Sequence, residues 1–303
     1  MKIIEFDIDF RLPLNKEKEK VIALGKFIGF HKGHQKIFKK AKEISLKENK
    51  ELIIMLYSDY DGFLKDYRKS ILPLETRLKI IKQYNPDYIL IFEENKKNYE
   101  ITREDFFKYL KDYLNVKNVV IGKNFTLNKK DGKDDLLEFK QNFSLSLLPL
   151  EKYNGQIIST KLLDLILIEG KVEEYKKLTN FNYFYQGKII PGKLLGTKYK
   201  TPTANVSVFS SLKTPREGIY TSYITVDNLK YYSITSISTN PTFDEKKISY
   251  ETFILKFNNN IYGKEVTVEL LKFIREPKKF RTIKLLYDEI ELDKKRAMNY
   301  FNI

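Results

Sequence analysis

The chain has 303 residues, 42% of them hydrophobic, with a formal charge of +15, two histidines and no cysteine. That is long and apolar enough for two globular domains with their own cores, and it excludes a disordered chain. The residue counts exclude disulfides, thiolate metal sites, a cysteine nucleophile and a histidine-rich metal centre.

No apolar run approaches membrane-spanning length, and Glu5, Asp7 and Asp9 are unsuited to a signal peptide. The expectation is a soluble cytoplasmic protein without membrane contacts. The positive charge comes from scattered lysines with no RNA-binding signature. It reads as a surface that attracts phosphate-bearing substrates rather than nucleic acid.

In chain order, Val21–Phe27 reads as a buried strand. Both histidines follow, one helical turn apart, in Gly25-Lys26-Phe27-Ile28-Gly29-Phe30-His31-Lys32-Gly33-His34-Gln35. From Gln35 to Lys47 apolar residues recur at helical spacing. His-x-Gly-His therefore lies where a strand gives way to a helix. Unpaired N–H groups, the helix dipole and nearby glycines suit such a junction to phosphate. The same histidines could instead cap the helix and face water.

Further strands are expected at Glu51–Tyr57, Tyr88–Phe92, Val116–Gly122 and Leu145–Leu150. Helices are expected at Leu74–Gln83, Arg103–Leu114, Leu136–Asn142, Thr160–Ile168 and Val172–Leu178. This alternation implies a Rossmann-like parallel sheet covered on both faces, with ligands beyond the carboxyl ends of its strands. The histidine segment, Gly122-Lys123-Asn124-Phe125 and Ile158-Ser159-Thr160-Lys161 all fall at such positions. Ser159 and Thr160 also suit a simple helix cap.

Near Thr179–Tyr183 the pattern changes, which places a domain boundary at 180/181. Strands follow at Tyr185–Ile190, Thr203–Phe209, Ile219–Val226, Leu229–Ile237, Tyr250–Phe257 and Val266–Ile274, with turns at Asp227-Asn228 and Asn258-Asn259-Asn260. Six alternating strands with short connections favour an antiparallel barrel. A final helix from Thr282 carries Ile283, Leu286, Ile290, Ala297 and Phe301 on one face. Between the first two strands runs a glycine-containing loop into Pro202-Thr203-Ala204-Asn205. Alone, Pro202-Thr203 could simply begin an edge strand, with Asn205 capping a turn.

Taken together these motifs resemble the bacterial bifunctional riboflavin kinase/FAD synthetases. In the first half, Gly25, Phe27, Gly29, His31, Gly33, His34 and Gln35 match the nucleotidyltransferase signature. Gly122-Lys123-Asn124-Phe125 and Ser159-Thr160-Lys161 are similar to its later motifs. Ile28, Ile158 and Leu163 stand where that family has Asp, Ser and Arg, and Tyr57-Ser58-Asp59-Tyr60 replaces its Pro-His-Pro. In the second half, the riboflavin kinase pattern is matched by the Gly187–Asn205 segment, Gly218-Ile219-Tyr220, Asn240-Pro241-Thr242-Phe243, Tyr250-Glu251-Thr252, Tyr262-Gly263-Lys264-Glu265-Val266, Arg275 and Lys279-Phe280.

The resemblance implies two ATP-dependent steps: riboflavin to FMN in residues 181–303, and FMN to FAD with release of pyrophosphate in residues 1–180. It implies that His31 and His34 are catalytic hydrogen-bond donors, with Phe27, Gly29, Gly33, Asn124, Ser159, Thr160 and Lys161 around the adenylylating ATP. It further implies Glu251 as the kinase base, Gly192, Gly196, Lys198, Thr203 and Asn205 around the second ATP, and Mg2+ on Thr203 and Asn205. ATP, riboflavin, FMN and FAD are the expected small molecules, and self-association stays open. Two alternatives remain at this stage: a kinase with an impaired adenylyltransferase, motivated by Ile28, Ile158 and Leu163, and a non-catalytic flavin- or RNA-binding regulator, motivated by the charge.

Overall fold

A computed structural model describes residues 1–6, 17–58, 69–93, 98, 100–127, 134–191, 203–239 and 248–303. It divides into two compact units, Met1–Thr160 and Lys161–Ile303.

The first unit holds a six-stranded parallel sheet. Its strands are β1 (Lys2–Glu5), β2 (Lys20–Leu24), β3 (Glu51–Tyr57), β4 (Tyr88–Phe92), β5 (Val116–Gly122) and β6 (Ser144–Leu148), in the spatial order β1-β4-β3-β2-β5-β6. Helices α1 (Lys32–Lys47), α2 (Leu74–Lys82), α3 (Arg103–Lys108) and α4 (Asp135–Asn142) connect them. The middle strands are apolar runs because both faces are covered. Val21, Ile22, Ala23, Ile53, Ile54, Val119 and Val120 are buried. The chain leaves β2 in one direction for β3 and reaches β2's other neighbour, β5, from β4. The gap between β2 and β5 is therefore a topological switch point, where such sheets bind ligands.

Several details differ from the sequence reading, which has no counterpart of the edge strand β1 and runs β6 on to Leu150. β2 ends at Leu24 rather than Phe27, because Phe27 adopts a left-handed backbone with φ +49°. The expected Arg103–Leu114 helix widens into a π turn over Tyr109–Tyr113. A short hairpin, β7 (Lys152–Tyr153) with β8 (Gln156–Ile157), turns on Asn154-Gly155, both with positive φ.

In the second unit α5 (Thr160–Ile168) and α6 (Val172–Thr179) precede a closed barrel. Its strands are β9 (Tyr183–Ile190), β10 (Ala204–Val208), β11 (Gly218–Val226), β12 (Leu229–Ser238), β13 (Ser249–Ile254) and β14 (Glu265–Arg275), in the order β10-β13-β12-β11-β14-β9 and antiparallel throughout. At Gly187 a Cβ would come within 2.2 Å of the Ser207 carbonyl oxygen, so only glycine lets β9 close on β10 there. Asp227-Asn228 turns with φ +50° and +65°, as the sequence suggests. The turn expected at Asn258–Asn260 comes earlier: β13 stops at Ile254, and Lys256 takes φ +53°.

Part of the barrel interior is polar. Ser222 Oγ lies 2.8 Å from both Ser233 Oγ and Thr235 Oγ1, and Thr235 Oγ1 lies 3.0 Å from Thr252 Oγ1, all buried. The last helix, α7 (Ile283–Phe301), is capped by Thr282, whose hydroxyl accepts from the Leu285 N–H. It packs on β11 and β12 through its second half. Ala297 is buried, and the Phe301 ring lies 4.4 Å from Tyr232 and 5.5 Å from Tyr223. Ile283, expected on the packed face, is instead 58% exposed, because the packed stripe begins later along the helix.

Candidate functional site

The first site forms at the carboxyl ends of β2, β5 and β6. His31 caps α1 from an extended conformation, and its Nδ1 accepts from the His34 N–H at 3.4 Å. That bond leaves the proton of the neutral ring on Nε2. The two imidazoles stack with centroids 3.6 Å apart. His34 meets the Phe27 ring edge-on at 5.2 Å, and Phe27 packs on Phe38 of α1 at 4.5 Å. His31 is 8% exposed, and among the described residues the enclosed Nδ1 of His34 has no hydrogen-bond partner. Burial pushes the His31 pKa down to about 4 and holds His34 well below the ordinary histidine range, with the neighbouring His31 adding to the latter. Both rings are thus neutral at pH 7. A charged pair stacked this closely would be repelled and poorly solvated.

Backbone geometry keeps this corner open. Phe27 and Phe30 both sit at positive φ, near +49° and +48°, a sparsely populated conformation for such residues. Gln35 Nε2 donates to the Phe30 carbonyl at 2.9 Å, fixing the loop to α1. A Cβ on Gly33 would stand 3.1 Å from His31 Nδ1, so glycine makes room for the imidazole. Gly29 is buried in the same loop. Asn124 is exposed beyond β5, in a turn closed by the Phe125 N–H donating to the Gly122 carbonyl at 3.0 Å.

The β7–β8 hairpin returns the chain so that the Ile158 N–H, one residue before Ser159, donates to the Glu151 carbonyl at 2.8 Å. Glu151 reaches the corner from the other side. It accepts from Lys36 Nζ at 2.6 Å, and its Cγ would lie 3.9 Å from a Gly33 side chain. Glu151 carried no signal in the sequence, being one glutamate after a strand among many. Ile158 and Leu163, where the resembling family has polar residues, are buried apolar side chains here. Lys161 is exposed on the first turn of α5, in the second unit.

The second site lies on the outward face of the barrel where β10, β13 and β12 adjoin. Asn205 pairs directly with Glu251, and Glu251 with Ser236. Directly opposed residues share a face. The alternate residues Ala204 and Thr252 are buried on the other side. Thr203 Oγ1 donates to Glu251 Oε2 at 3.3 Å, and Ser249 Oγ lies 3.4 Å from Glu251 Oε1. Thr203, Asn205 and Glu251 therefore converge, each half-buried. Gly192, Gly196 and Lys198 lie outside the described residues, as does Asn240-Pro241-Thr242-Phe243. The approach to that second segment is anchored: Glu217 Oε2 accepts from the Thr239 N–H at 2.9 Å and from its hydroxyl at 3.2 Å. Glu217 is a further residue that sequence reasoning missed, although it directly precedes the Gly218-Ile219-Tyr220 match. Beside it a cavity of about 600 Å³ is lined by Ile168, Thr214, Arg216, Glu217, Ile248 and Pro277, among others.

A parallel sheet with a strained anion-type corner, followed by a closed barrel bearing a Thr–Asn–Glu set, defines a protein of two nucleotide-handling domains. An FAD synthetase family model matches residues 14–162, and a riboflavin kinase family model matches residues 179–301. The bifunctional riboflavin kinase/FMN adenylyltransferase of Bacillus subtilis is 31% identical, covering 100% of this chain and 99% of its own. The Listeria monocytogenes protein of the same description is 28% identical over 93% of this chain and 92% of its own. A crystal structure described as a macrolide-efflux protein from Streptococcus pneumoniae superposes with a TM-score of 0.87 at 25% identity, covering 98% of this chain and 99% of that one. The chain belongs to the bifunctional riboflavin kinase/FMN adenylyltransferase family. Among the described residues, no helix is long and apolar enough to cross a membrane.

Proposed function

We propose that the chain makes FMN from riboflavin on the barrel and FAD from FMN on the parallel sheet, each with ATP. The observation that carries the reading is the presence, in one family member, of two separate polar constellations, each built on the domain whose family match names the corresponding activity.

In the adenylyl step an FMN phosphate oxygen attacks the α-phosphorus of ATP and pyrophosphate leaves. No covalent enzyme intermediate is required, so positioning and charge stabilisation do the work. His31 Nε2–H and the His34 ring donate to the phosphates as negative charge moves to the leaving group. Their neutrality makes them donors that need not shed a proton. Ser159, Thr160 and Lys161 hold the outer phosphates, and Asn124 binds at the nucleotide or the α-phosphate. Phe27, Gly29 and Gly33 shape the corner. Buried Ile158 and Leu163 place apolar packing where polar contacts would otherwise stand, which leaves Lys161 as the cation of that motif.

In the kinase step Glu251 orients and accepts the proton of the ribityl 5′-hydroxyl as that oxygen attacks the γ-phosphorus. The Thr203 hydroxyl and Asn205 amide oxygen, neutral oxygens beside a carboxylate, suit Mg2+, which takes oxygen donors and keeps several waters. When bound with ATP it would supply neutralisation of the phosphate charge. Gly192, Gly196 and Lys198, outside the described residues, are assigned to the ATP phosphates from the family pattern alone. The cavity beside Glu217 is of ligand size and has Ile248 in its wall, three residues before Glu251; it takes the flavin ring.

Incubating the purified protein with riboflavin, ATP and Mg2+ and separating the flavins tests the whole. FMN and FAD should both appear. FMN alone would show the impaired adenylyltransferase, and neither flavin would overturn the reading.

A further inference from the structure

We infer that Arg77 is a positioning residue for adenylyl transfer, tying the loop start that shapes the histidine corner to the end of β3. The inference rests on the adenylyl reading of His31 and His34. Arg77 lies in the first turns of α2 and is 0% exposed. Among the described residues its guanidinium donates to three backbone carbonyls: Nη1 to Tyr57 at 2.7 Å and to Lys26 at 3.4 Å, and Nε to Leu72 at 3.1 Å. Tyr57 is the last residue of β3, and Lys26 lies in the loop that follows β2. The same two segments meet again where Lys26 Nζ sits 5.3 Å from the centre of the Tyr57 ring.

The path from Arg77 to the chemistry is short. Lys26 directly precedes Phe27, whose left-handed backbone turns its ring against His34 and Phe38. A left-handed phenylalanine persists only where its surroundings hold it. Arg77 supplies part of that hold at the residue just before. A rigid planar fork holds carbonyls from separate segments in fixed directions, whereas a lysine ammonium is a flexible point donor that cannot reproduce the spread of Nε and Nη1. Hydrogen bonds from a charged donor are among the stronger ones. A purely structural arginine would serve the fold without setting the affinity of the corner for ATP.

The test uses the full-length protein. For R77K and R77M, the KM for ATP and kcat of FMN adenylylation are measured beside riboflavin phosphorylation and thermal melting, with H34A in parallel. R77K should raise the KM for ATP in adenylylation about tenfold, consistent with a displaced positioning loop, while riboflavin phosphorylation is unchanged. R77M should do so more strongly. If R77M does not fold, R77K still decides. A lower melting temperature for R77K with KM and kcat of adenylylation unchanged would overturn the inference, as would a loss matched only by the fraction unfolded. If H34A keeps full adenylylation, the reading of the corner fails. If H34A abolishes it and R77K keeps the wild-type KM, the inference about Arg77 fails alone.

Discussion

The histidine corner and the Glu251 face of the barrel keep their polar groups ready in opposite ways. The corner buries His31, stacks the two imidazoles and encloses His34 Nδ1 with no partner among the described residues. The barrel face sets Thr203, Asn205 and Glu251 half-exposed on hydrogen-bonded strands, with Glu251 already held by two hydroxyls. Readiness in the first case is bought with burial, and it ties that site to pH. In the second case the ladder of a closed barrel fixes the positions, and burial contributes less.

The sharpest way to break this comparison is to cross the two sites. Glu251→Ala should lower riboflavin phosphorylation by about 10²–10⁴-fold, the usual reach of a positioned base, and leave FMN-to-FAD conversion intact. His34→Ala should lower adenylylation by about 10²–10³-fold, as loss of a transition-state donor does, and leave phosphorylation intact. Assaying both steps on each variant checks the assignment; equal losses in both steps from either change would refute one reaction per domain.

A smaller effect sharpens the contrast through pH. His31 titrates near 6.5 in the unfolded chain and at about 4 in the fold. Its contribution is therefore full above about pH 6.5 and is lost as pH falls toward 4, where the unfolded chain takes up a proton that the native one refuses. The loss approaches roughly 3 kcal/mol for His31, and His34 acts in the same direction. Melting followed from pH 7 to pH 4.5 should show this slope for the first unit. His31→Asn, which keeps a capping side chain, should flatten it. The mildest probe is Gly33→Ala. Its methyl group would sit 3.1 Å from His31 Nδ1, so the ring must shift by tenths of an ångström. Adenylylation should fall about tenfold with phosphorylation unaltered, as paired kinetics would reveal.

Much of this architecture could be read before the structure. β3 and β4 fall where nearly continuous apolar runs place them, and β5 around its Val119–Ile121 core, because buried parallel strands leave little ambiguity. The histidine junction was legible because His-x-Gly-His sits between two different periodicities. The β7–β8 hairpin was missed although Asn154-Gly155 is a strong turn signal, since its two-residue strands are too short to alternate. The π turn after α3 leaves no periodic trace in so few residues. Arg77, Glu151 and Glu217 were invisible for a common reason: each acts through a contact with a distant segment, and an arginine or glutamate on a helix or loop ordinarily faces water. The strand-borne Glu251 was singled out only through its neighbours in the family pattern.

The hydroxyls of Ser222, Ser233, Thr235 and Thr252 inside the barrel have a bearing on how the strands find each other. Each sits on a residue that faces inward only in one alignment of β11, β12 and β13. A slip by a single residue would turn them outward and bring side chains of the other face into the interior. The inward hydroxyls would lose one another, at roughly 1–3 kcal/mol for each group left enclosed without a mate. An all-aliphatic lumen would tolerate such a slip far better. The quartet thus acts as a key cut for one alignment, and the alignment it selects is the one that sets Ser236 opposite Glu251.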